Sequence, residues 1–141
     1  VLPPNHLLAK SKELTKEDLY SLSFITLDNQ STTRKVVDQL LSSSGLDVQR
    51  LHTEMELNSL EAIKNAVQSD LGAAFLPVVS IERELSGGSI HRPTVADLEV
   101  KRELKVITNP GRYSSRAAEA FTQDILPLFA SSFSPLFNQQ N

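Results

Sequence analysis

Two segments of this chain share one pattern, in which an extended apolar run is followed by a polar corner and then by a helical repeat. The first runs through SFITL, DNQSTTRK and VVDQLL, and the second through LHTEMEL, NS and LEAIKNAVQ. β-branched and aromatic residues favour strands, whereas apolar residues three and four positions apart indicate an amphipathic helix. Strands that are repeatedly followed by helices along the chain predict an α/β fold, with a mixed sheet flanked by helices.

The ends of these elements can be predicted from capping residues. The first helix is expected over Thr32 to Ser43, with Gly45 just past its end. The second carries a cap and an acid three residues later, Asn58 and Glu61, and Gly72 is expected to close it. A third apolar run, AAFLPVV, does not alternate, which indicates a strand buried on both faces. Further strands are expected at SIHRPTV and EVKRELKVIT, followed by a turn at NPGRY and a long helix over Ser114 to Phe129.

Composition narrows the class of protein. The chain has 141 residues and a formal net charge of −3. It has no cysteine, and this excludes disulfides and thiolate metal sites. Net acidity argues against a nucleic-acid backbone as a ligand of this segment. No stretch approaches the roughly 18 apolar residues that a membrane span needs. The chain starts at Val1 without an initiator methionine or a signal-peptide pattern, so we expect it to be part of a longer protein.

Polar residues concentrate where the predicted strands end. In open α/β sheets, ligands bind outside the carboxyl ends of the strands, where free backbone N–H groups and the helix dipole favour an anion. The corners Asp28 to Arg34, Leu57 to Ser59 and Phe75 to Val78 meet that description. Arg34 adds a cation that could grip a carboxylate or phosphate, whereas Lys35 is rotated about 100° away on the helix.

Helix capping is the competing explanation for these corners, because Ser, Thr, Asp and Asn begin most helices. A helix needs one cap, however, and the first corner offers a run of five candidates from Asn29 to Thr33. For Phe75 and Pro77 the competing interpretation is ordinary core and turn. The candidate ligand-binding residues are Gln30, Ser31, Thr32, Thr33, Arg34, Asn58, Ser59, Phe75 and Pro77.

No catalytic or metal-binding set emerges from the sequence. The serines have no G-x-S-x-G setting and the chain has no glycine-rich phosphate loop. The histidines His6, His52 and His91 are far apart and show no metal-binding spacing. We therefore expect a binding protein rather than an enzyme, with no catalytic residue and no metal.

The stretches FITLDNQSTTRKVVDQLL and MELNSLEAIKNAVQSDLGAAFLP closely resemble the effector-binding region of LysR-type transcriptional regulators. The likeness is greatest to the group that controls CO2-fixation and inorganic-carbon-uptake operons in cyanobacteria, plastids and autotrophic bacteria. It spans about residues 1 to 130, although Leu7 stands where that family usually has proline.

The resemblance implies a periplasmic-binding-protein-like (type 2) fold of two α/β subdomains. By this likeness, residues 1–104 form the second regulatory subdomain with its hinge entry, residues 105–130 supply a return strand and helix of the first, and residues 131–141 are a flexible tail. The front half of the first subdomain, the winged helix-turn-helix and its linker helix are not in this chain. The family's effector lies in the cleft between subdomains, and the matching positions are the three corners above.

The resemblance also implies the ligands and partners. Small anionic metabolites are expected, such as 2-phosphoglycolate, ribulose 1,5-bisphosphate or 2-oxoglutarate, and also NADPH, with no bound cofactor. DNA would be contacted only through the winged helix-turn-helix, by a homodimer or homotetramer in the cytoplasm or plastid stroma, with RNA polymerase as a further partner and no membrane. Two rival interpretations are a solute-binding protein of a transport system, which shares the cleft, and a domain that only binds other proteins.

Overall fold

The computed structural model describes residues 1–101, 107 and 114–128. Backbone contacts divide the chain into two compact units, Val1–Glu103 and Leu104–Asn141. Most of the strand predicted at EVKRELKVIT, the turn at NPGRY and the tail 131–141 lie outside the described residues. In the part of the chain that is described, no helix is both long enough and apolar enough to span a membrane.

The first unit alternates strands and helices along the chain. Its strands are β1 (Glu13–Leu14), β2 (Ser23–Leu27), β3 (His52–Leu57) and β4 (Thr94–Val95). Its α-helices are α1 (Lys16–Tyr20), α2 (Thr32–Ser43), α3 (Leu60–Gln68) and α4 (Glu82–Ser86), with 3₁₀ turns at Leu7–Lys10, Val48–Arg50 and Val78–Ser80. The described part of the second unit is helical, with α5 (Arg116–Ala120) continuing into a π-helical turn, Phe121–Ile125.

Both strand pairs are parallel. β2 pairs with β3, so that Leu27 lies opposite Leu57, and β1 pairs with β4. Two isolated bridges extend this arrangement: Phe24 with Ala73 in parallel and Leu2 with His91 in antiparallel fashion. The prediction of a mixed sheet is therefore confirmed.

Helices cover both faces of the β2–β3 sheet. Phe24 packs in one buried cluster with Leu41 of α2, whereas the next residue, Ile25, packs in a second cluster with Ile63 and Val67 of α3. Successive side chains of a strand point to opposite faces, so this change of cluster places α2 on one face and α3 on the other. Burying each of these aliphatic side chains contributes roughly 1.5–3 kcal/mol. The apolar clusters thus fix where both helices start relative to the strand ends.

The predicted bounds of α2 are confirmed, and those of α3 are partly wrong. α2 spans Thr32–Ser43, and Gly45 follows with φ +79°, as expected of a residue past a helix end. The N-cap of α3 is Ser59 rather than Asn58, because the β3 pairing extends to Leu57 and the chain needs one more residue to turn. Gly72 does not close α3, since the helix already ends at Gln68.

Gly72 has a different role, which is to let the next segment approach β2 closely. Its φ is +153°, and a Cβ atom there would lie 2.7 Å from the carbonyl oxygen of Ser23. The following residue, Ala73, exchanges hydrogen bonds of 2.8 Å with the backbone of Ser23 and Ile25. A side chain at position 72 would push this pairing apart.

The strand predictions at AAFLPVV and SIHRPTV were too long. Only Ala73 bridges β2, and the chain then turns at Pro77 into the 3₁₀ turn, because proline has no N–H to continue a ladder. In the second segment only Thr94–Val95 forms a strand, with His91 in an isolated bridge. The expected burial on two faces holds for Ala73 and Ala74, which belong to different apolar clusters.

The predicted long helix near the end of the chain is confirmed over its described part, from Arg116 to residue 128. Ser115 caps it by accepting a hydrogen bond from the Ala118 amide at 3.2 Å. Phe121 and Ile125, four residues apart on one side, are 48% and 39% exposed.

Candidate functional site

The first two predicted corners adjoin in space. Leu27 and Leu57, the last residues of β2 and β3, are directly paired, and the amide of Asp28 donates to the carbonyl of Leu57 at 3.0 Å. Because the two strands are parallel, α2 and α3 begin at the same edge of the sheet. The positive ends of two helix dipoles therefore lie side by side.

The residues before α2 form a turn that is held by hydrogen bonds among these residues themselves. The Asp28 carboxylate accepts from the amide of Gln30 at 2.9 Å, and the Gln30 side chain donates to that of Asn29 at 3.0 Å. The amide of Ser31 donates to the carbonyl of Asp28 at 3.0 Å. Gln30, a candidate ligand residue, is exposed. Its backbone amide and its side chain, however, already donate to Asp28 and Asn29.

The first turn of α2 keeps free donors. Ser31 is the N-cap, and its hydroxyl accepts a long hydrogen bond of 3.4 Å from the Arg34 amide. Within the described residues, the amides and hydroxyls of Thr32 and Thr33 make no hydrogen bond. Thr32 is exposed and Thr33 is half-buried. These groups can bind an anion at the helix start without breaking an existing contact.

The start of α3 is similar but shorter. The Ser59 hydroxyl accepts from the Ala62 amide at 3.1 Å. The amides of Leu60 and Glu61, and the side chain of Asn58, have no hydrogen-bond partner in the described part of the chain. Asn58 is exposed, so its amide group is available to a ligand.

Arg34 is held by groups of its own chain. Its Nε lies 2.7 and 2.9 Å from the two carboxylate oxygens of Asp38, and its Nη1 donates to the carbonyl of Leu27 at 3.1 Å. Glu56 approaches the same Nη1 at 4.0 Å. Two carboxylates thus face one guanidinium, and the Arg34 side chain is only 17% exposed. Arg34 could add to anion binding only by exchanging one of these partners or by acting through the remaining N–H groups.

Asp38 is a residue that the sequence interpretation missed. It lies four positions after Arg34, the spacing at which opposite charges pair on a helix, so this signal was present in the sequence. The pair anchors the side chain of Arg34 along α2 instead of leaving it directed at a ligand.

The third corner lies against the first. Phe75 stacks on Phe24 with ring centroids 4.9 Å apart and an interplanar angle of 4°. Two residues later, Pro77 begins the 3₁₀ turn Val78–Ser80. A small cavity of about 40 Å³ is lined by Thr33 and Arg34 of the first corner, by Phe75 and Pro77 of the third, and by Thr26 of β2.

This cavity is too small for a metabolite, since pockets that bind small molecules typically measure about 300–1,000 Å³. A ligand would therefore lie at the strand-end edge above it. The hydroxyl oxygen of Thr26, a residue that lines the cavity, is buried without a hydrogen-bond partner in the described residues. Gln30, Ser31, Thr32, Asn58 and Ser59 do not line the cavity and lie at the helix starts.

The histidines have local roles, and the described residues contain no group of His, Asp or Glu side chains that could hold a metal ion. His6 accepts a hydrogen bond from the amide of Leu8 at 3.2 Å. His52 lies 3.1 Å from Glu54 on the exposed surface of β3.

Comparison with known proteins shows the family. The LysR substrate binding domain profile matches residues 1–129. A protein named probable RuBisCO transcriptional regulator from Trichormus variabilis is 55% identical over 139 residues, which is 99% of this chain and 40% of that protein. A protein of the same name from Porphyra purpurea is 53% identical over 93% of this chain and 41% of its own length. The chain thus spans about two fifths of these relatives.

Solved structures share the fold. The regulatory domain of CcmR from Synechocystis in complex with 2-PG has a TM-score of 0.68 and 19% identity, over 90% of this chain and 60% of that one. The effector binding domain of QuiR in complex with shikimate has a TM-score of 0.66 and 20% identity, over 92% of this chain and 59% of that one. The chain belongs to the LysR substrate binding domain family, with the periplasmic-binding-protein-like fold of its effector domains.

Proposed function

We propose that this chain is the ligand-sensing part of a LysR-type DNA-binding transcriptional regulator of carbon-fixation or inorganic-carbon-uptake genes. Relatives named as RuBisCO transcriptional regulators support this assignment over a transport protein. The observation that carries the binding role is the adjacency of the α2 and α3 starts, through the Leu27–Leu57 pairing. The ligand proposed for this edge is a small anionic metabolite.

The chemistry of the edge fits an anion. The free amides of Thr32, Thr33, Leu60 and Glu61 are directed along two helix dipoles, each of which carries about half a positive charge at its start. Threonine hydroxyls and the Asn58 amide add donors that can select the shape of the ligand. The proposed ligand-binding residues are Gln30, Ser31, Thr32, Thr33, Arg34, Asn58, Ser59, Phe75 and Pro77.

Among candidate ligands, 2-phosphoglycolate is the first to test, followed by ribulose 1,5-bisphosphate, 2-oxoglutarate and NADPH. The CcmR domain was solved with 2-PG and the QuiR domain with shikimate. Both compounds carry a carboxylate, and a phosphate adds further acceptor oxygens for helix-start amides.

The proposed mechanism is a ligand-gated change of domain geometry. Residues 1–104 would form the second regulatory subdomain, residues 105–130 would belong to the first, and residues 131–141 would be a flexible tail. A ligand shifts the balance between two conformations only by the difference in its affinity for them. That shift would be passed to a winged helix-turn-helix outside this chain, in a homodimer or homotetramer that acts on DNA and RNA polymerase in the cytoplasm or plastid stroma.

The test is calorimetric titration of the protein with each candidate metabolite. Replacing both Thr32→Val and Thr33→Val removes two hydroxyl donors while keeping side-chain shape. A hydrogen bond to a charged group contributes roughly 1.5–3 kcal/mol, so affinity for the correct metabolite should fall at least about tenfold.

Thr94→Val is the matched control, since Thr94 is an exposed threonine of β4 and not of the proposed site. It should bind like the wild type. If the wild type binds none of the four metabolites, or the double variant binds as tightly as the control, this edge is not the effector site. An export signal in the same gene, in place of a helix-turn-helix, would favour the transport alternative.

A further inference from the structure

Lys64 is a buried cation within the apolar stripe of α3. It is 7% exposed and lies four residues after Leu60 and three before Val67, positions that face the core. Burying a charge is unfavourable unless it is paired and hydrogen-bonded. A leucine or methionine would suit this position on the helix, so the lysine calls for an explanation beyond burial.

The ammonium group of Lys64 uses all three of its donors. Nζ donates to the carbonyl of Ser80 at 3.1 Å and lies 2.9 Å from Glu84 and 2.7 Å from Glu61. Hydrogen bonds to Glu61 and then to Glu84 raise the pKa of Lys64, and the bond to Lys64 lowers the pKa of Glu84. Both Lys64 and Glu84 are therefore charged at neutral pH.

The contacts of Lys64 lead to the third corner of the candidate site. Ser80 ends the 3₁₀ turn that Pro77 begins. Its amide and its hydroxyl both donate to the carbonyl of Pro77, at 2.9 and 2.7 Å. Two hydrogen-bond steps thus connect the side chain of Lys64 to the backbone of Pro77.

We propose that Lys64 is a positioning residue that sets the backbone of Phe75–Pro77 for effector binding, by holding the end of the 3₁₀ turn against α3. This inference rests on the proposed function, because Phe75 and Pro77 matter for binding only if the effector lies at this edge. Lys64 itself does not touch the ligand. Its contribution is the directional bond to the Ser80 carbonyl.

The ion pair with Glu84 does not by itself explain why a lysine is here. Replacing a buried ion pair with well-packed apolar residues is often neutral or stabilising. Apolar side chains could therefore join α3 to α4 without any charge. What they could not supply is a donor to the carbonyl at the end of the turn.

The test separates the bond to Ser80 from the pair with Glu84. Glu84→Gln keeps the Lys64 donor to Ser80, so affinity for 2-phosphoglycolate should change less than about threefold. Lys64→Met removes that donor and should weaken binding at least about tenfold. The double variant Lys64→Met with Glu84→Leu leaves no unpaired, half-buried carboxylate at position 84, so it serves where Lys64→Met alone does not fold, and it should bind as weakly.

A second readout does not depend on the ligand. In ¹⁵N-labelled protein without ligand, the amide signals of Phe75, Leu76 and Val78 should shift in the double variant. They should not shift in Arg50→Met, which breaks two other contacts: the bidentate bond to Glu17 and the stacking of Arg50 3.8 Å over the Tyr20 ring.

The outcomes distinguish the two proposals. Unmoved signals of Phe75, Leu76 and Val78 in the double variant overturn the role of Lys64, whatever the ligand. Wild-type-like affinity in the double variant also overturns it. Shifted signals in a protein whose wild type binds no metabolite support the positioning of this corner by Lys64 and count against the proposed function alone.

Discussion

The starts of α2 and α3 meet at one edge of the sheet, yet their sequences differ in length and polarity. Before α2 the chain has a long polar stretch, from Asp28 to Arg34, whereas α3 is preceded by only Asn58 and Ser59. Both helices nevertheless leave the same backbone groups free, the amides of their first two residues. The number of polar residues in a corner therefore does not measure how many donors it offers to a ligand.

The difference lies in what the extra residues do. Asp28, Asn29 and Gln30 bond to one another and shape the turn. Arg34 is paired with Asp38, so its charge is partly neutralised. What the α2 corner adds beyond the α3 corner is the pair of threonine hydroxyls. The proposed ligand would thus be recognised by amides from both helices and by threonine hydroxyls from α2.

The largest expected effect concerns what holds the two helices in place. Leu41 of α2 and Ile63 of α3 are both 2% exposed, so Leu41→Ala and Ile63→Ala should each lower the free energy of unfolding by about 2–5 kcal/mol. Urea denaturation measures both. Val79→Ala is the control, since Val79 is 50% exposed and should change stability by about 0.5 kcal/mol or less. A much smaller loss of unfolding free energy for one of the two variants would mean that core packing does not stabilise α2 and α3 equally.

A smaller effect separates the caps. The hydroxyl of Ser59 accepts at 3.1 Å, whereas that of Ser31 accepts at 3.4 Å. Hydrogen bonds weaken as they lengthen, so Ser59→Ala should lower the free energy of unfolding by about 1 kcal/mol, and Ser31→Ala should lower it by less. Thermal denaturation of both variants compares them directly. The reverse order would show that the turn before α2 depends on Ser31 more than its geometry indicates.

The smallest expected effect tests the neutralisation of Arg34. Asp38→Asn removes the carboxylate that pairs with the guanidinium, so affinity for 2-phosphoglycolate should rise about two- to fivefold at low salt and less at high salt. Asp70→Asn is the control, because it removes the same charge from an exposed residue outside both corners. Equal affinity in the two variants would mean that the charge of Arg34 does not contribute to ligand binding.

Local signals account for what the sequence predicted well. The bounds of α2 follow from its apolar spacing and its terminal serines and glycine, and β2 follows from a short β-branched run. The adjacency of the first two corners follows from parallel pairing. Each of these depends on residues close together in the chain or on a general rule of sheet topology.

Tertiary contacts account for what it did not predict. The 3₁₀ turn after Pro77 is bonded to α3 through Lys64 and the Ser80 carbonyl, a contact between residues sixteen positions apart that no local pattern indicates. The hydrogen bond from Arg34 to the Leu27 carbonyl depends on how α2 packs against β2. The Asp38 pairing, by contrast, was visible in the i to i+4 spacing and could have been predicted.

The most direct test of the account follows the free amides themselves. Titrating 2-phosphoglycolate into ¹⁵N-labelled protein should move the amide signals of Thr32, Thr33, Leu60 and Glu61 together, along one saturating curve. Amides far from this edge, such as that of Glu13 in β1, should stay in place. Saturable binding that moves other signals and leaves those of both helix starts unchanged would contradict the claim that the paired helix starts hold the anion.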